Sequence, residues 1–241
     1  MPARGPSPIA GAWYEAQTLV ARVPSIARPL QRLRGPERSV DDRTEIVIEA
    51  FPRCASSFAV AAFRLAQEPR AMRIADHSHS PAEVIAGVRR GLPVLVLARR
   101  AEPAVISHVI RNPDLPVRAV LRGYLRFYET VAPHRRDIVV GSFDEVTTDL
   151  GVVIARMNAR FGTAFAPFTH TPANLARIER EIEDDYAARA GDDADRERII
   201  PRPSATREDL KVAVTARFAR ETTPDLRRRA DAVYDLLTGG R

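Results

Sequence analysis

Short apolar runs alternate with segments of helical periodicity along the middle of the chain. The runs are rich in Val, Ile and Leu, which is typical of strands buried on both faces of a parallel sheet. They lie at 45–50, 72–75, 93–98 and 138–140, and helices are expected at 57–67, 81–90, 101–111, 115–131 and 150–161. Because parallel strands need crossover connections, this alternation predicts an α/β fold in which helices flank a parallel sheet.

Two regions flank the alternating part. Residues 1–43 contain several prolines and arginines and one short helical stretch at 13–21, and they are expected to form an arm packed on the surface. Residues 44–241 are expected to form one α/β domain with a helical C-terminal part. A chain of 241 residues can bury a core without a disulfide or a metal.

The formal net charge of +6 comes almost entirely from arginine, since Lys211 is the only lysine. A net positive charge favours the binding of an anionic ligand. Arginines are interleaved with acids and form no basic tract with stacking aromatics, so no nucleic-acid partner is expected. The single cysteine, Cys54, excludes an internal disulfide. With no secretory signal and no long apolar run, we expect no transmembrane segment and a cytoplasmic location.

The first predicted strand runs directly into Pro52-Arg53-Cys54-Ala55-Ser56-Ser57 and then into a helix. This arrangement presents free backbone N–H groups and the positive end of the helix dipole to a phosphate. Serine hydroxyls and the Arg53 guanidinium can add to it. An ordinary turn with serine caps is the alternative. Neither a Walker A motif nor Gly-x-Gly-x-x-Gly after a strand is present, which argues against ATP-hydrolysing and Rossmann proteins.

The segment 52–58 resembles the Pro-Lys/Arg-Ser-Gly-Ser/Thr-Thr/Ser-Phe/Trp loop of the sulfotransferase family. The resemblance implies a P-loop-like architecture in which this loop binds the 5′-phosphosulfate of 3′-phosphoadenosine 5′-phosphosulfate. It implies that Arg53 lies beside the bridging oxygen, with serines at the two hydroxyl positions. The loop residues that it implies for co-substrate binding are Arg53, Cys54, Ala55, Ser56, Ser57 and Phe58.

The loop departs from the family pattern at two positions. Ala55 replaces the usual glycine, so the backbone is more restricted there. Arg53 replaces the lysine of many members. It can stabilise negative charge but cannot give up a proton at neutral pH.

A second family signature is an arginine after a buried strand and a serine eight residues later, which together hold the 3′-phosphate. Arg99 and Ser107 have this spacing, although Arg100 is an alternative because the nearby proline lies two positions later than usual. The segments 121–129, 138–146 and 154–165 resemble, in order, the family's next helix, a strand ending in a turn, and a closing helix. The resemblance therefore covers roughly residues 44–166.

The family often closes the nucleotide site with a basic C-terminal segment. Arg207 and Lys211 are four residues apart and would share one helix face. A phosphate clamp that includes Arg207 and a solvated basic face are both compatible with this pattern.

A histidine is the usual general base near neutral pH. His77 and His79 follow the second predicted strand, at the sheet edge where the phosphate loop is expected. Family members commonly have a histidine in this segment. We prefer His77 as the base, followed by His79, with Asp76 as an orienting carboxylate or an alternative base. His-x-His could also bind a metal, but no third ligand is evident and no metal is expected.

The resemblance thus implies a sulfotransferase that uses 3′-phosphoadenosine 5′-phosphosulfate and an acceptor hydroxyl or amine. The alternatives are a non-catalytic, nucleotide-binding descendant of the fold and a divergent P-loop kinase. The acceptor side is expected to be built by the N-terminal arm and by the segments 77–90 and 166–205. A small molecule, a sugar or a lipid all remain possible acceptors, and the oligomeric state is open.

Overall fold

Four parallel strands form the sheet of the computed structural model, which describes residues 5–189 and 205–240. The strands are β1 (Ile46–Ala50), β2 (Ile74–Asp76), β3 (Val94–Ala98) and β4 (Val139–Ser142). Their order is β2-β1-β3-β4, and every neighbouring pair is parallel. The predicted fold class, a parallel sheet flanked by helices, is confirmed.

Four of the helices follow a residue whose side chain caps the free N–H groups of the first turn. Ser7, Ser80, Ser142 and Thr223 each accept a hydrogen bond from a backbone N–H two or three residues ahead. The helices are α1 (Pro8–Val20), α2 (Pro24–Arg34), α3 (Ser56–Gln67), α4 (Pro81–Arg89), α5 (Ala101–Arg111), α6 (Val117–Val131), α7 (Phe143–Phe161), α8 (Pro172–Arg189), α9 (Ala205–Glu221) and α10 (Pro224–Thr238). Within the described residues, none of these helices is long and apolar enough to cross a membrane.

The start of α7 differs from the prediction. The sequence places a strand and turn at 138–146 and a helix only from residue 150, but α7 begins at Phe143. A capping box explains the early start, because Ser142 Oγ accepts a hydrogen bond from the Glu145 N–H, and the Glu145 carboxylate accepts one from the Ser142 N–H. The non-helical backbone of Asp149 (φ −153°, ψ 73°) bends the helix near the predicted boundary.

The N-terminal arm contains two docked helices, where the sequence indicates one short helical stretch. Helix α1 packs on α6, with the Tyr14 ring directly over Gly123. The Glu15 carboxylate pairs with Arg122 and Arg126, at 3.0 Å to each guanidinium. Helix α2 packs on α4. The arm is therefore attached to two helices of the α/β domain.

Helix α4 lies close to the sheet because Gly87 has no side chain. A β carbon at this position would lie 2.7 Å from Val47 Cγ2 and 2.9 Å from Val94 Cγ2, on β1 and β3. Such distances are well inside van der Waals contact, so a larger residue would separate the helix from the sheet.

We expect Gly87→Ala to lower the free energy of unfolding, although alanine is the better helix former by about 1 kcal/mol. Overpacking a core costs about 1–3 kcal/mol, which outweighs that gain. Urea denaturation measures the change. The double variant Val47→Ala/Gly87→Ala removes the closer of the two contacts and should lose less stability than the two single variants added together. Additive losses would show that Gly87 and Val47 are not in strained contact.

Candidate functional site

Three segments leave the sheet side by side at its carboxyl edge. Because β1 pairs in parallel with both β2 and β3, the segments that follow these strands must share this edge. They contain Arg53, His77 and Arg99, which the sequence singled out separately. In open α/β sheets, ligands bind outside the carboxyl ends of the strands. The topology therefore brings the candidate residues of three distant segments to one place.

The loop between β1 and α3 has an unusual backbone. Arg53 (φ 71°) and Ala55 (φ 67°) both occupy the left-handed region. Ala55 is the N-cap residue of α3, and no side chain in the described part of the chain caps this helix. The first N–H groups of a helix have no acceptor within the helix. Ala55 thus adopts a conformation that glycine reaches without steric cost, and the uncapped end of α3 can receive an anion.

Arg53 connects this loop to the segment after β3. Its Nε donates to Ser107 Oγ on α5 at 2.9 Å, and its carbonyl oxygen accepts from Arg99 Nη1 at 3.2 Å. The Arg99 guanidinium also lies 3.9 Å from the centre of the Phe143 ring. Arg99 and Ser107 therefore both lie at the loop that carries Arg53.

Arg100 points in another direction. Its Nη2 lies 3.4 Å from Asp235 Oδ1 on α10, and its guanidinium lies 4.7 Å from the centre of the Tyr234 ring. Of the two arginines after β3, Arg99 faces the loop and Arg100 faces the C-terminal helix.

The remaining loop side chains face the protein interior. Cys54 is fully buried, with Sγ 3.3 Å from Tyr128 Oη, and burial raises the pKa of the thiol to about 11. The Phe58 ring packs against the rings of Phe168 and His170. Cys54 and Phe58 can therefore offer a ligand only their backbone groups.

His77 forms a dyad with Asp76. Asp76 Oδ1 lies 2.7 Å from His77 Nδ1, and a carboxylate can only accept, so Nδ1 is the donor. His77 Nε2 then carries the lone pair and lies 3.3 Å from Ser57 Oγ, at the start of α3. The second oxygen of Asp76 accepts from Arg64 at 3.0 Å. This arrangement fixes the imidazole tautomer and directs a basic nitrogen towards the loop.

His79 has a different environment. It is partly buried, its Nδ1 donates to the carbonyl oxygen of Ala50 at 2.9 Å, and removal from water lowers its pKa to about 4. The imidazole is therefore neutral at pH 7 and is a weaker base than an ordinary histidine.

Glu49, which the sequence did not single out, accepts hydrogen bonds from the segment that contains both histidines. It is fully buried on β1. Its Oε1 accepts from the N–H and the hydroxyl of Ser78 at 2.9 and 2.6 Å, and its Oε2 accepts from the His79 N–H at 3.0 Å. Burial raises the pKa of Glu49 to about 8, against the opposing effect of the Ser78 hydrogen bonds. These bonds hold the segment in which His77 (φ 52°) and His79 (φ 50°) have left-handed backbones.

Tyr186 is a second residue that sequence reasoning missed. It comes from α8, and its Oη lies 3.4 Å from Ser57 Oγ. Burial acts to raise its pKa, but the positive charges of Arg53 and Arg111 outweigh burial, so the pKa is lowered. The Arg111 guanidinium lies 5.4 Å from the centre of the tyrosine ring. Tyr186 therefore lies in the positive field of Arg53 and Arg111.

A cavity of about 320 Å³ opens beside the dyad. Its walls combine polar side chains of the N-terminal arm with residues at the carboxyl edge of the sheet. Among them are Gln17, Gln31 and Arg38 of the arm and Pro52, His77 and His79 of the sheet edge. This volume is at the lower end of the range of about 300–1,000 Å³ that is usual for small-molecule sites.

The basic C-terminal pair is only partly described. Arg207 lies in the first turn of α9, and its side chain is outside the described residues. Lys211 is exposed and lies 3.5 Å from Glu208. Over residues 5–189 and 205–240, no group of three or more His, Cys, Asp or Glu side chains is arranged to hold a metal.

The fold is similar to that of the mouse sulfotransferase SULT7A1, whose crystal structure contains PAP. The similarity covers 86% of this chain and 88% of that chain, with 14% identity and a TM-score of 0.44. No family model matches the chain, and no curated protein matches its sequence. Similarity at this level does not define a function.

His108, next to Ser107 on α5, should make the stability of the fold depend on pH. Its ring is buried between Tyr14 and Phe51, with both centroid distances 5.7 Å. Neither of its nitrogens has a hydrogen-bond partner among the described residues. Burial lowers its pKa to about 3. Between pH 6.5 and pH 3 the unfolded chain takes up a proton at this histidine and the folded protein does not. The free energy of unfolding is therefore unaffected by this group above pH 6.5 and falls as the pH is lowered towards 3.

We expect the wild type to lose about 1 kcal/mol of stability per pH unit below pH 6.5 relative to His108→Phe, which cannot take up this proton. Chemical denaturation of both proteins between pH 8 and pH 5 measures the difference, and the comparison removes the effects of other titrating groups. Parallel curves for the two proteins would mean that His108 is protonated equally easily in the folded and unfolded states.

Proposed function

We propose that this protein is a sulfotransferase that moves a sulfuryl group from 3′-phosphoadenosine 5′-phosphosulfate to an acceptor hydroxyl or amine. The observation that carries the proposal is the hydrogen bond between Arg53 and Ser107. It joins two segments that resemble, independently, the 5′-phosphosulfate loop and the 3′-phosphate segment of sulfotransferases. The two residues are 54 positions apart in the sequence, and the parallel pairing of β1 with β3 brings them close enough for one ligand to contact both segments.

The charges and donors at the sheet edge fit the two ends of such a nucleotide. Arg53, the uncapped N-terminus of α3 and the hydroxyls of Ser56 and Ser57 would hold the 5′-phosphosulfate. Arg99 and Ser107 would hold the 3′-phosphate. The co-substrate supplies the activated sulfuryl group, and the protein supplies position and charge.

His77 is the base in this proposal. Its Nε2 accepts the proton of the acceptor hydroxyl while the acceptor oxygen bonds to sulfur, and the bond between sulfur and the phosphate oxygen breaks. Asp76 stabilises the resulting imidazolium through Nδ1. Arg53 and the α3 N-terminus stabilise the negative charge on the departing phosphate. No proton from Arg53 is needed, since a phosphate leaves as an anion.

The other two candidate bases are less suited to this role. The lowered pKa of His79, about 4, makes it a poor proton acceptor near neutral pH. Asp76 already accepts from both His77 and Arg64. The cavity beside His77 would hold the acceptor, and its size suits a small molecule, a sugar unit or a lipid headgroup.

We expect Arg99→Ala to weaken the binding of adenosine 3′,5′-bisphosphate by roughly 10- to 100-fold, as is usual for the loss of a charge-assisted phosphate contact. Arg100→Ala is the matched control and should bind almost as tightly as the wild type, because Arg100 faces α10. Isothermal titration calorimetry measures both affinities. If Arg100→Ala lost more nucleotide affinity than Arg99→Ala, Arg100 and not Arg99 would be the residue that binds the 3′-phosphate.

We expect His77→Asn to lower kcat by roughly 100-fold or more, in the range of a lost general base, while nucleotide affinity stays within a few-fold. Transfer of radiolabelled sulfate to a panel of sugars, phenols and lipids gives the rate. His79→Asn is the comparison and should retain more activity. Tight nucleotide binding by the wild type without transfer to any acceptor would favour a non-catalytic descendant, and preference for ATP would favour a kinase.

A further inference from the structure

Helix α1 presents an apolar face to solvent. Its exposed positions include Ile9, Ala12, Trp13, Ala16 and Leu19, which recur at helical spacing on the side away from α6. The side chains of Ile9 and Trp13 are 83% and 62% exposed. An isolated exposed apolar residue is ordinary, but a whole apolar helix face directed outwards marks an interaction surface.

Helix α2 continues this surface. Ile26, Leu30 and Leu33 are exposed at positions i, i+4 and i+7, with Leu33 83% exposed. Ala27, on the opposite side of the helix, is buried. The inner faces of both helices are thus occupied by the α/β domain, and their outer faces are apolar. We call the exposed apolar residues of α1 and α2 the arm surface.

The arm carries a net positive charge. Residues 1–43 contain seven arginines and four acidic residues, Glu15, Glu37, Asp41 and Asp42. Glu15 is already paired with two arginines of α6. Arg22 and Arg32 are exposed next to the apolar positions of α2. Arg28 pairs with Glu83 at 3.6 Å. The arm surface therefore combines exposed apolar side chains with the exposed guanidinium groups of Arg22 and Arg32.

We propose that α1 and α2 dock on the surface of an anionic lipid bilayer. Apolar residues with a tryptophan on one face, flanked by arginines, are typical of helices that lie in the plane of the membrane interface. Arginines near an anionic bilayer are attracted to its negative surface potential. The helices have 13 and 11 residues, too short to span a hydrocarbon core that needs about 20. A protein partner without acidic residues would explain the apolar side chains but not the excess of arginine.

The same two helices line the cavity beside His77, through Tyr14, Gln17 and Gln31. An acceptor carried on a lipid headgroup would thus meet the cavity at the bilayer surface. This consequence for the acceptor rests on the proposed function, whereas the docking itself does not.

Flotation of the full chain with lipid vesicles tests the proposal without nucleotide or turnover. We expect partition into equimolar phosphatidylcholine and phosphatidylglycerol vesicles to exceed partition into pure phosphatidylcholine vesicles by about 10-fold or more, and to fall with added salt. The triple variant Ile26→Ser/Leu30→Ser/Leu33→Ser should lose about 10-fold or more of this binding. Val212→Ser on α9, where valine is 71% exposed, is the matched control and should bind as the wild type does.

Equal partition into neutral and anionic vesicles, or binding that the triple variant leaves intact, would overturn the proposal. So would a dimer in sedimentation that the triple variant dissociates, together with no vesicle binding, because a second copy would then cover the arm surface. Calorimetry with adenosine 3′,5′-bisphosphate, run on the same proteins, keeps the two proposals separate. Loss of vesicle binding with intact nucleotide binding affects only the membrane proposal.

Discussion

The hydrogen-bond ladders on both sides of β1 determine where Arg53, His77 and Arg99 lie. Parallel pairing with β2 on one side and β3 on the other makes three chain segments leave the sheet at one edge. Without that pairing, Arg53, His77 and Arg99 would have no reason to be neighbours. The helices that follow β1 and β3 then direct an uncapped N-terminus and Ser107 towards the same space. The topology thus brings the site residues together, and side-chain contacts fix their positions.

Two polar contacts fix the loops at this edge. The hydrogen bond from Arg53 to Ser107 fixes the loop after β1 against α5. The buried carboxyl group of Glu49 holds the segment after β2, where two histidines have left-handed backbones. Left-handed conformations cost about 1–2 kcal/mol each for residues other than glycine, so they persist only where such contacts enforce them. The strain is concentrated at the sheet edge where the nucleotide and the acceptor would meet.

The sequence predicts those features that depend on local pattern. Short-range periodicity and turn residues predict the four strands, most of the helices and the strand-loop-helix unit around Arg53. The family resemblance singles out Arg99 and Ser107 by their spacing. Tyr186 was missed because its contact with Ser57 spans 129 positions, and no local pattern encodes such a contact. Glu49 carried a usable signal, since a glutamate within a buried strand needs partners. The early start of α7 was also readable from the capping pair Ser142 and Glu145.

The most direct test of the central claim is the nucleotide preference of the wild-type chain, measured by calorimetry in parallel titrations. The arrangement of Arg53, Arg99 and Ser107 predicts that adenosine 3′,5′-bisphosphate binds at least about 10-fold more tightly than ATP with magnesium, because only the bisphosphate places charge at both the loop and the α5 segment. Equal or tighter binding of ATP, or no binding of the bisphosphate, would contradict the account.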